Sequence, residues 1–375
     1  MNILVLTPDY PDERRSVFPF VKQLVDEMAR LGHSIQVIAP YSITHNKRFC
    51  KPKSEYPVES GKVIVYRPWY ASFSNIKVGN NSLTEISKRH AYKKGLNALE
   101  EKPDVVYGHF WNSAYMGFDY AQSKNIPLFV ATGESEIEFR KDNQEKKDFC
   151  SYLSGVICVS TKNQEESIQL GLCSKDKCKV IPNAIDNKIF RLLDKHKCRK
   201  QLGISKDSFI VAFVGWFSER KGSRRVARAL SLVNEVKPVY SFFIGEGTED
   251  PVCPNILYKG KVKHDDIPIY LNAADVFVLP TQHEGCCNAI IEAMACGLPI
   301  ISSDLPFNYD VLNHHNSILI NPNNVENIKT AIMSLVMDEK LKNELSKGAL
   351  ETSSHLSITD RAITIISFFN RSTAI

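Results

Sequence analysis

The chain has 375 residues, enough for two hydrophobic cores of ordinary size. Its 43% hydrophobic and 24% charged content describes a soluble globular protein and excludes a disordered or low-complexity chain. The net charge of +5 is compatible with anionic ligands or an anionic membrane surface and requires neither.

Elements follow one another in a regular rhythm. NILVLT (2–7) is a continuous apolar run, expected of a strand buried on both faces. Residues 1–7 carry no basic leader or small-residue cleavage site, so no signal peptide is expected. SVFPFVKQLVDEMARLG (16–32) repeats apolar residues at helical spacing through Phe20, Leu24, Met28 and Leu31, with Gly32 placed to end the helix. SIQVIAP (34–40), KVIVYR (62–67), DVVYGH (104–109), IPLFVAT (126–132) and GVICVS (155–160) read as further strands. Alternating strands and helices predict a parallel sheet covered on both faces. KVIPNAIDNKIF (179–190) reads as a boundary, after which FIVAFVG (209–215) opens a second series. VYSFFIG (239–245), NILYKG (255–260), DVFVLP (275–280), LPIISS (298–303) and NSILIN (316–321) continue it. The expected fold class is α/β, with two doubly wound domains and ligands in the cleft that they face. ITDRAITIISFFN (358–370) predicts a final helix, capped by Thr359 or Asp360 and too apolar to stand free.

The ten cysteines include no CxxC pair, so a zinc site is not expected; several lie inside apolar runs and read as buried small hydrophobes in a reducing, cytoplasmic setting. No apolar run reaches the roughly 20 residues needed to span a bilayer.

Three loops carry possible chemistry. In GWFSERKGSRR (215–225), Arg220 and Lys221 precede a helix start, where cations and unpaired amides suit a phosphate or diphosphate; a solvated basic loop is the alternative. The Walker spacing is absent, and FIGEG (243–247) falls short of GxGxxG. In EGCCNAIIEAMACG (284–297), Glu284 ends a strand loop and Asn288 is placed to cap a helix. Amides near Gly285 and Cys286 suit an anion, and Glu292, one turn into an apolar helix, suits a cis-diol or needs another partner. The alternative is that Glu284 only complements the helix dipole and Glu292 faces water. In the first half, His109 ends a strand before Phe110 and Trp111; it is either a neutral-pH titrating group or part of a packed aromatic cluster. Thr132, Gly133 and Glu134 end the next strand. No DxD metal–nucleotide signature and no GxSxG elbow occur.

These stretches resemble the retaining glycosyltransferases of the GT-B fold, group 1 or family 4. The carrying residues are FVGWFSERKG (213–222), IGEG (244–247), VIPNAID (180–186) and, most specifically, DVFVLPTQHEGCCNAIIEAMACGLPIISSD (275–304). DVVYGHFW (104–111) carries a looser likeness in the first half. The resemblance implies an acceptor-side domain over 1–185, a nucleotide-sugar domain over 186–357 and a C-terminal helix, 358–375, docking back on the first. It implies Glu284 on donor-sugar hydroxyls, Glu292 on the ribose, and the amides of Gly285, Cys286 and Cys287 near sugar and diphosphate. Lys221 with Arg220 would neutralise the diphosphate, and His109 would lie near the reacting sugar. Gly215, Gly245, Asn183 and Asn288 would line or shape the donor side.

Departures from the family pattern fall at three places. Trp216 follows Gly215 where arginine is common, EGCC stands for EGFG, and the loop PDYPDERRSVFPF (8–20) lacks the usual glycine pair. Arg14, Arg15 or Ser16 would have to replace the backbone contact there. The implied partners are a UDP- or GDP-sugar donor and a glycan or polyprenyl-linked acceptor, without metal, other cofactor or nucleic acid. DLPFNYDVLNHHNSILINPNN (304–324) resembles enzymes of bacterial surface-polysaccharide clusters, which work at the inner membrane face. Basic and aromatic residues in NKRFCKPK (46–53), RPWYASF (67–73) and KRHAYKK (88–94) are candidates for contact with anionic headgroups, or simply surface and core. The rival functions are a sugar-nucleotide epimerase of the same fold and a non-catalytic nucleotide-sugar-binding paralogue.

Overall fold

The computed structural model describes residues 1–12, 18–44, 50–73, 76–78 and 81–373. Ser16, Arg14 and Arg15 lie outside the described residues, as does all of NKRF (46–49). The chain divides into two compact units: Met1–Ile181 with Arg361–Ile375, and Pro182–Asp360.

The main sheet of the first unit has eight strands: β1 (Asn2–Leu6), β2 (Ser34–Ile38), β3 (Lys53–Val58), β4 (Gly61–Tyr66), β5 (Val105–His109), β6 (Leu128–Thr132), β7 (Gly155–Cys158) and β8 (Cys178–Val180). Their order is β8-β7-β6-β5-β1-β2-β4-β3. All neighbours are parallel except β3 and β4. β5, β6 and β7 are buried along their whole length, as continuous apolar runs under helices must be. The order reverses between β1 and β5, so the loops leaving these strands, including the one after His109, adjoin.

The first helix runs Pro19–Arg30, and Val21, Leu24, Val25 and Met28 form its buried stripe. Leu31 lies beyond the helix end and is 36% exposed, so it is not part of the stripe as expected. The final helix, Ile358–Thr373, lays its apolar face on the first unit's sheet. Phe369 is fully buried, 4.7 Å from the Phe129 ring and 5.9 Å from Tyr107. Its cap is not Thr359 or Asp360, which lie in the first turn. Ser357 Oγ accepts from the Asp360 amide at 3.0 Å and donates to the Asp360 carboxylate at 2.7 Å, which puts the cap two residues before Thr359.

The second unit has a six-stranded, wholly parallel sheet: β9 (Ile210–Val214), β10 (Tyr240–Ile244), β11 (Ile256–Gly260), β12 (Val276–Leu279), β13 (Ile300–Ser303) and β14 (Ser317–Ile320). The order β11-β10-β9-β12-β13-β14 reverses between β9 and β12. The basic loop leaves β9 and the two-glutamate stretch leaves β12. The topology therefore brings together two segments some sixty residues apart in sequence, about the spacing of Lys221 and Cys287 (|i−j| = 66).

Candidate functional site

The loops after β9 and β10 are interlocked by backbone. Gly215 and Gly245 have φ of 153° and 148°, and a Cβ on Gly245 would lie 2.0 Å from the Gly215 carbonyl oxygen. No side chain fits that approach. Phe217 N donates to Glu246 O at 2.7 Å, while Trp216 projects outward, 53% exposed. The loop ends at Gly222 in the left-handed region, and the helix Ser223–Asn234 follows.

Two staples then join the β9 loop to the β12 loop. Gln282 N donates to Arg220 O at 2.9 Å, and the buried Arg225 donates to Pro280 O at 3.0 Å. In this frame Arg220 and Lys221 both reach one carboxylate oxygen. Arg220 Nη1 and Lys221 Nζ each lie 2.6 Å from Glu284 Oε1, and Thr281 Oγ1 donates to the same atom at 3.1 Å. Arg220 also donates to His283 O at 2.6 Å. Burial works to discharge Lys221, but the neighbouring Cys287 and Glu284 hold its pKa above the ordinary lysine value. Burial likewise pushes Glu284 up, but Lys221 and Arg220 outweigh it and leave its pKa low. The result is a compact triad with both cations charged and the carboxylate ionised.

The helix Asn288–Ala295 starts one residue earlier than Asn288 capping requires. Cys287 occupies the cap position without a side-chain cap bond, and Asn288 is the first helical residue. The Asn288 Oδ1 is buried without a hydrogen-bond partner among the described residues. Cys287 does not project into open space: it is 5% exposed, and its Sγ lies 3.8 Å from Lys221 Nζ. Asn183 Nδ2 donates to Cys286 O at 2.9 Å and fixes the turn from behind.

Glu292 is 9% exposed and does not face water. Its partner is His264, whose Nε2 lies 3.1 Å from Glu292 Oε1 beneath the edge of Phe190 at 5.0 Å. Burial disfavours the charged ring, yet the hydrogen bond to Glu292 and its charge raise the His264 pKa overall. Sequence reasoning missed His264. The only available signal was that Glu292, in an apolar helix, required a partner.

In the first unit His109 is 5% exposed and packed among Phe110 (4.4 Å), Phe20 (5.5 Å) and Tyr107 (6.3 Å). Burial, with a further push from Arg361, lowers its pKa to about 3, so of its two alternatives it takes the packed aromatic cluster and does not titrate near neutrality. Its Nδ1 is buried and unpartnered among the described residues. Beside it, Glu134 accepts from Trp111 N (2.9 Å), Thr132 Oγ1 (2.8 Å) and Gly133 N (2.9 Å). That clamp holds the turn in which Phe110 has a φ of 75°. Among the described residues no His, Cys, Asp and Glu group has the arrangement to hold a metal ion, and no helix is long and apolar enough to cross a membrane.

Two family models match consecutive parts of the chain: Glycosyltransferase Family 4 over residues 19–188 and Glycosyl transferases group 1 over residues 194–352. The chain belongs to the group 1 glycosyltransferases of the GT-B fold. It is 28% identical to the putative teichuronic acid biosynthesis glycosyltransferase TuaC of Bacillus subtilis, over 94% of this chain and 93% of the relative. It is 28% identical to the UDP-Gal:alpha-D-GlcNAc-diphosphoundecaprenol alpha-1,3-galactosyltransferase of Escherichia coli, over 66% of this chain and 70% of that one. The fold matches sucrose-phosphate synthase of Thermosynechococcus elongatus with a TM-score of 0.79 at 18% identity, covering 100% and 99% of the two chains. It also matches Anabaena HepE in complex with UDP-glucose, with a TM-score of 0.71 at 17% identity and coverage of 99% and 100%.

Proposed function

We propose that this glycosyltransferase moves a sugar from a UDP- or GDP-sugar, with retention and without a metal, to a glycan or polyprenyl-linked acceptor in surface-polysaccharide synthesis. The observation that carries the reading is the Arg220–Lys221–Glu284 triad beside the Asn288–Ala295 helix start, with Glu292 further along the same helix. A nucleoside diphosphate is a good leaving group once its charge is compensated. Lys221 and Arg220 supply two fixed positive charges, and the amides of Gly285, Cys286 and Cys287 add hydrogen-bond donors. Glu284 then holds sugar hydroxyls, and Glu292 accepts the two ribose hydroxyls. Departure of the diphosphate leaves an oxocarbenium-like sugar, which the acceptor attacks from the leaving-group face. The family resemblance assigns His109, neutral in the first unit, to the reacting sugar and Ser16 to a donor contact. Gly215 and Gly245 keep the β9 and β10 loops close enough to admit the nucleotide. The UDP-glucose bound by HepE and the lipid-linked acceptor named for the Escherichia coli relative support the donor and acceptor classes.

We place the enzyme in the cytoplasm, at the inner membrane face. Trp69 is 53% exposed with Lys94 at 5.8 Å from its ring, and Lys88 lies 5.2 Å from the Tyr70 ring. These cation–aromatic pairs suit anionic headgroups. Flotation with anionic liposomes tests this, and failure to float removes it.

A thermal-shift screen of UDP-, GDP- and ADP-sugars, followed by transfer assays, tests the main reading. Glu292→Ala is expected to weaken donor binding about tenfold or more, the loss of hydrogen bonds to a charged acceptor. Unchanged donor affinity by calorimetry would sink the assignment. Conversion of donor alone to an isomer would instead indicate an epimerase, and binding without transfer a non-catalytic paralogue.

A further inference from the structure

The first unit holds a group of thiols that the transfer reaction does not use. Cys178 begins β8, an edge strand with β7 as its one neighbour in the main sheet. Cys173 lies in the turn after the helix Thr161–Gln169, and a single turn of 3-10 helix, Lys175–Lys177, folds the chain back between them. The two sulfurs lie 3.2 Å apart. A third thiol, Cys158 at the end of β7, hydrogen-bonds Cys178 from the core side. Cys158 is fully buried, whereas Cys173 and Cys178 are half-buried and reachable.

We propose that Cys178 and Cys173 form a peroxide-reactive dithiol, with Cys178 the attacking sulfur and Cys173 the resolving one. The geometry assigns the roles. Cys178 is the middle sulfur of the three, with Cys158 on one side and Cys173 at 3.2 Å on the other, so it can accept a hydrogen bond from each; that stabilises its thiolate and lowers its pKa. Cys173 and Cys158, as the donors, have their pKa values raised and stay protonated. The Cys178 thiolate attacks one oxygen of a hydroperoxide, and the O–O bond breaks. Sulfur becomes the sulfenic acid and the second oxygen leaves as hydroxide, protonated to water. The Cys173 sulfur then displaces the sulfenic oxygen as a second water, and its thiol proton goes to that water. Two thiols and one hydrogen peroxide thus give one disulfide and two waters. The sulfurs need to close by only about 1 Å to reach covalent distance. Cys158 cannot be reached from solvent and is left reduced.

The product closes a short loop at the start of β8. That strand runs on to Ile181, whose amide donates to Cys158 O at 2.8 Å, immediately before the chain leaves the unit at Pro182. Oxidation therefore pins the strand through which the chain exits. Nothing in this inference depends on the donor or acceptor.

The test exposes the full chain to hydrogen peroxide at neutral pH, blocks remaining thiols with N-ethylmaleimide and maps peptides without reduction. The expected product is a Cys173–Cys178 disulfide formed ahead of any change at Cys50 or Cys253, and reversed by dithiothreitol. Cys173→Ser should leave a sulfenic acid on Cys178 that dimedone captures. Cys178→Ser should slow peroxide consumption about tenfold or more, because it removes the sulfur whose thiolate two neighbouring thiols stabilise. Oxidation of Cys50 or Cys253 first, or no dimedone adduct in a folded Cys173→Ser protein, would overturn the proposal.

Discussion

Glu284→Gln tests the physical account of the site most directly. The substitution keeps the shape and one acceptor oxygen but removes the charge that Arg220 and Lys221 share. Arg220 is 40% exposed and relaxes into water at little cost, so the loss is concentrated on Lys221, whose side chain is 12% exposed. Removing one partner of a buried pair costs about 3–5 kcal/mol. Residual exposure and the option of deprotonating Lys221 reduce this to about 2–3 kcal/mol. For a unit of this size the midpoint of thermal unfolding should fall by about 4–12 °C. A diphosphate supplies the missing counter-charge, and Glu284 no longer competes for the cations. Recovery of about 1 kcal/mol corresponds to UDP binding about fivefold tighter than in the parent. Sugar transfer, which needs Glu284 on the donor hydroxyls, should fall at the same time. Calorimetric titration with UDP and thermal scans with and without it give both numbers. A stable variant, or one that binds UDP more weakly, would refute the idea that Glu284 and a diphosphate compete for the same two cations.

Gly245→Ala should be poorly folded or devoid of donor binding, because its Cβ would meet the Gly215 carbonyl oxygen at 2.0 Å on a backbone with φ of 148°; wild-type binding and unfolding midpoint would contradict the geometry. The His264–Glu292 pair makes stability depend on pH. Burial opposes the charged ring, but Glu292 outweighs it, so the folded pKa is raised. The folded chain therefore holds the proton more tightly. The stabilisation is complete below the unfolded value of about 6.5 and is lost as pH rises through the higher folded value. Urea midpoints across this window should fall in the parent and flatten in His264→Gln; identical slopes would remove the pair from the account.

Strands were the most legible elements. Runs such as NILVLT and DVFVLP are apolar on both faces because helices cover both faces of a parallel sheet, and that requirement is written locally. The triad was legible in part: Arg220, Lys221 and Glu284 could each be singled out, but their meeting on one oxygen depends on the strand-order reversal between β9 and β12. Helix starts were read late, by one residue at Asn288 and by two or three at Thr359 or Asp360. Good capping side chains stood in the first turn, while Cys287 and Ser357 occupied the cap. His264 left no local trace, since its tie to Glu292 spans 28 residues and is made only by packing. Which of its two alternatives His109 takes was not legible for a related reason: strand position is local, but the burial that lowers its pKa comes from packing with Phe20, Phe110 and Tyr107, and the added push from the charge of Arg361.

The last helix bears on how the chain is made. Phe368 and Phe369 fill the first unit against Phe129, and Gly155 leaves room where a Cβ would sit 2.7 Å from the Phe368 ring. These aromatic residues are synthesised after the whole of Pro182–Asp360. The first unit therefore leaves the ribosome with an open apolar slot and cannot complete its core until the segment after Asp360 has been made, by which time the second unit has been synthesised and can fold. A ribosome stalled after Ile181 would display that slot to chaperones, and a fragment ending there would aggregate unless the C-terminal helix were supplied in trans.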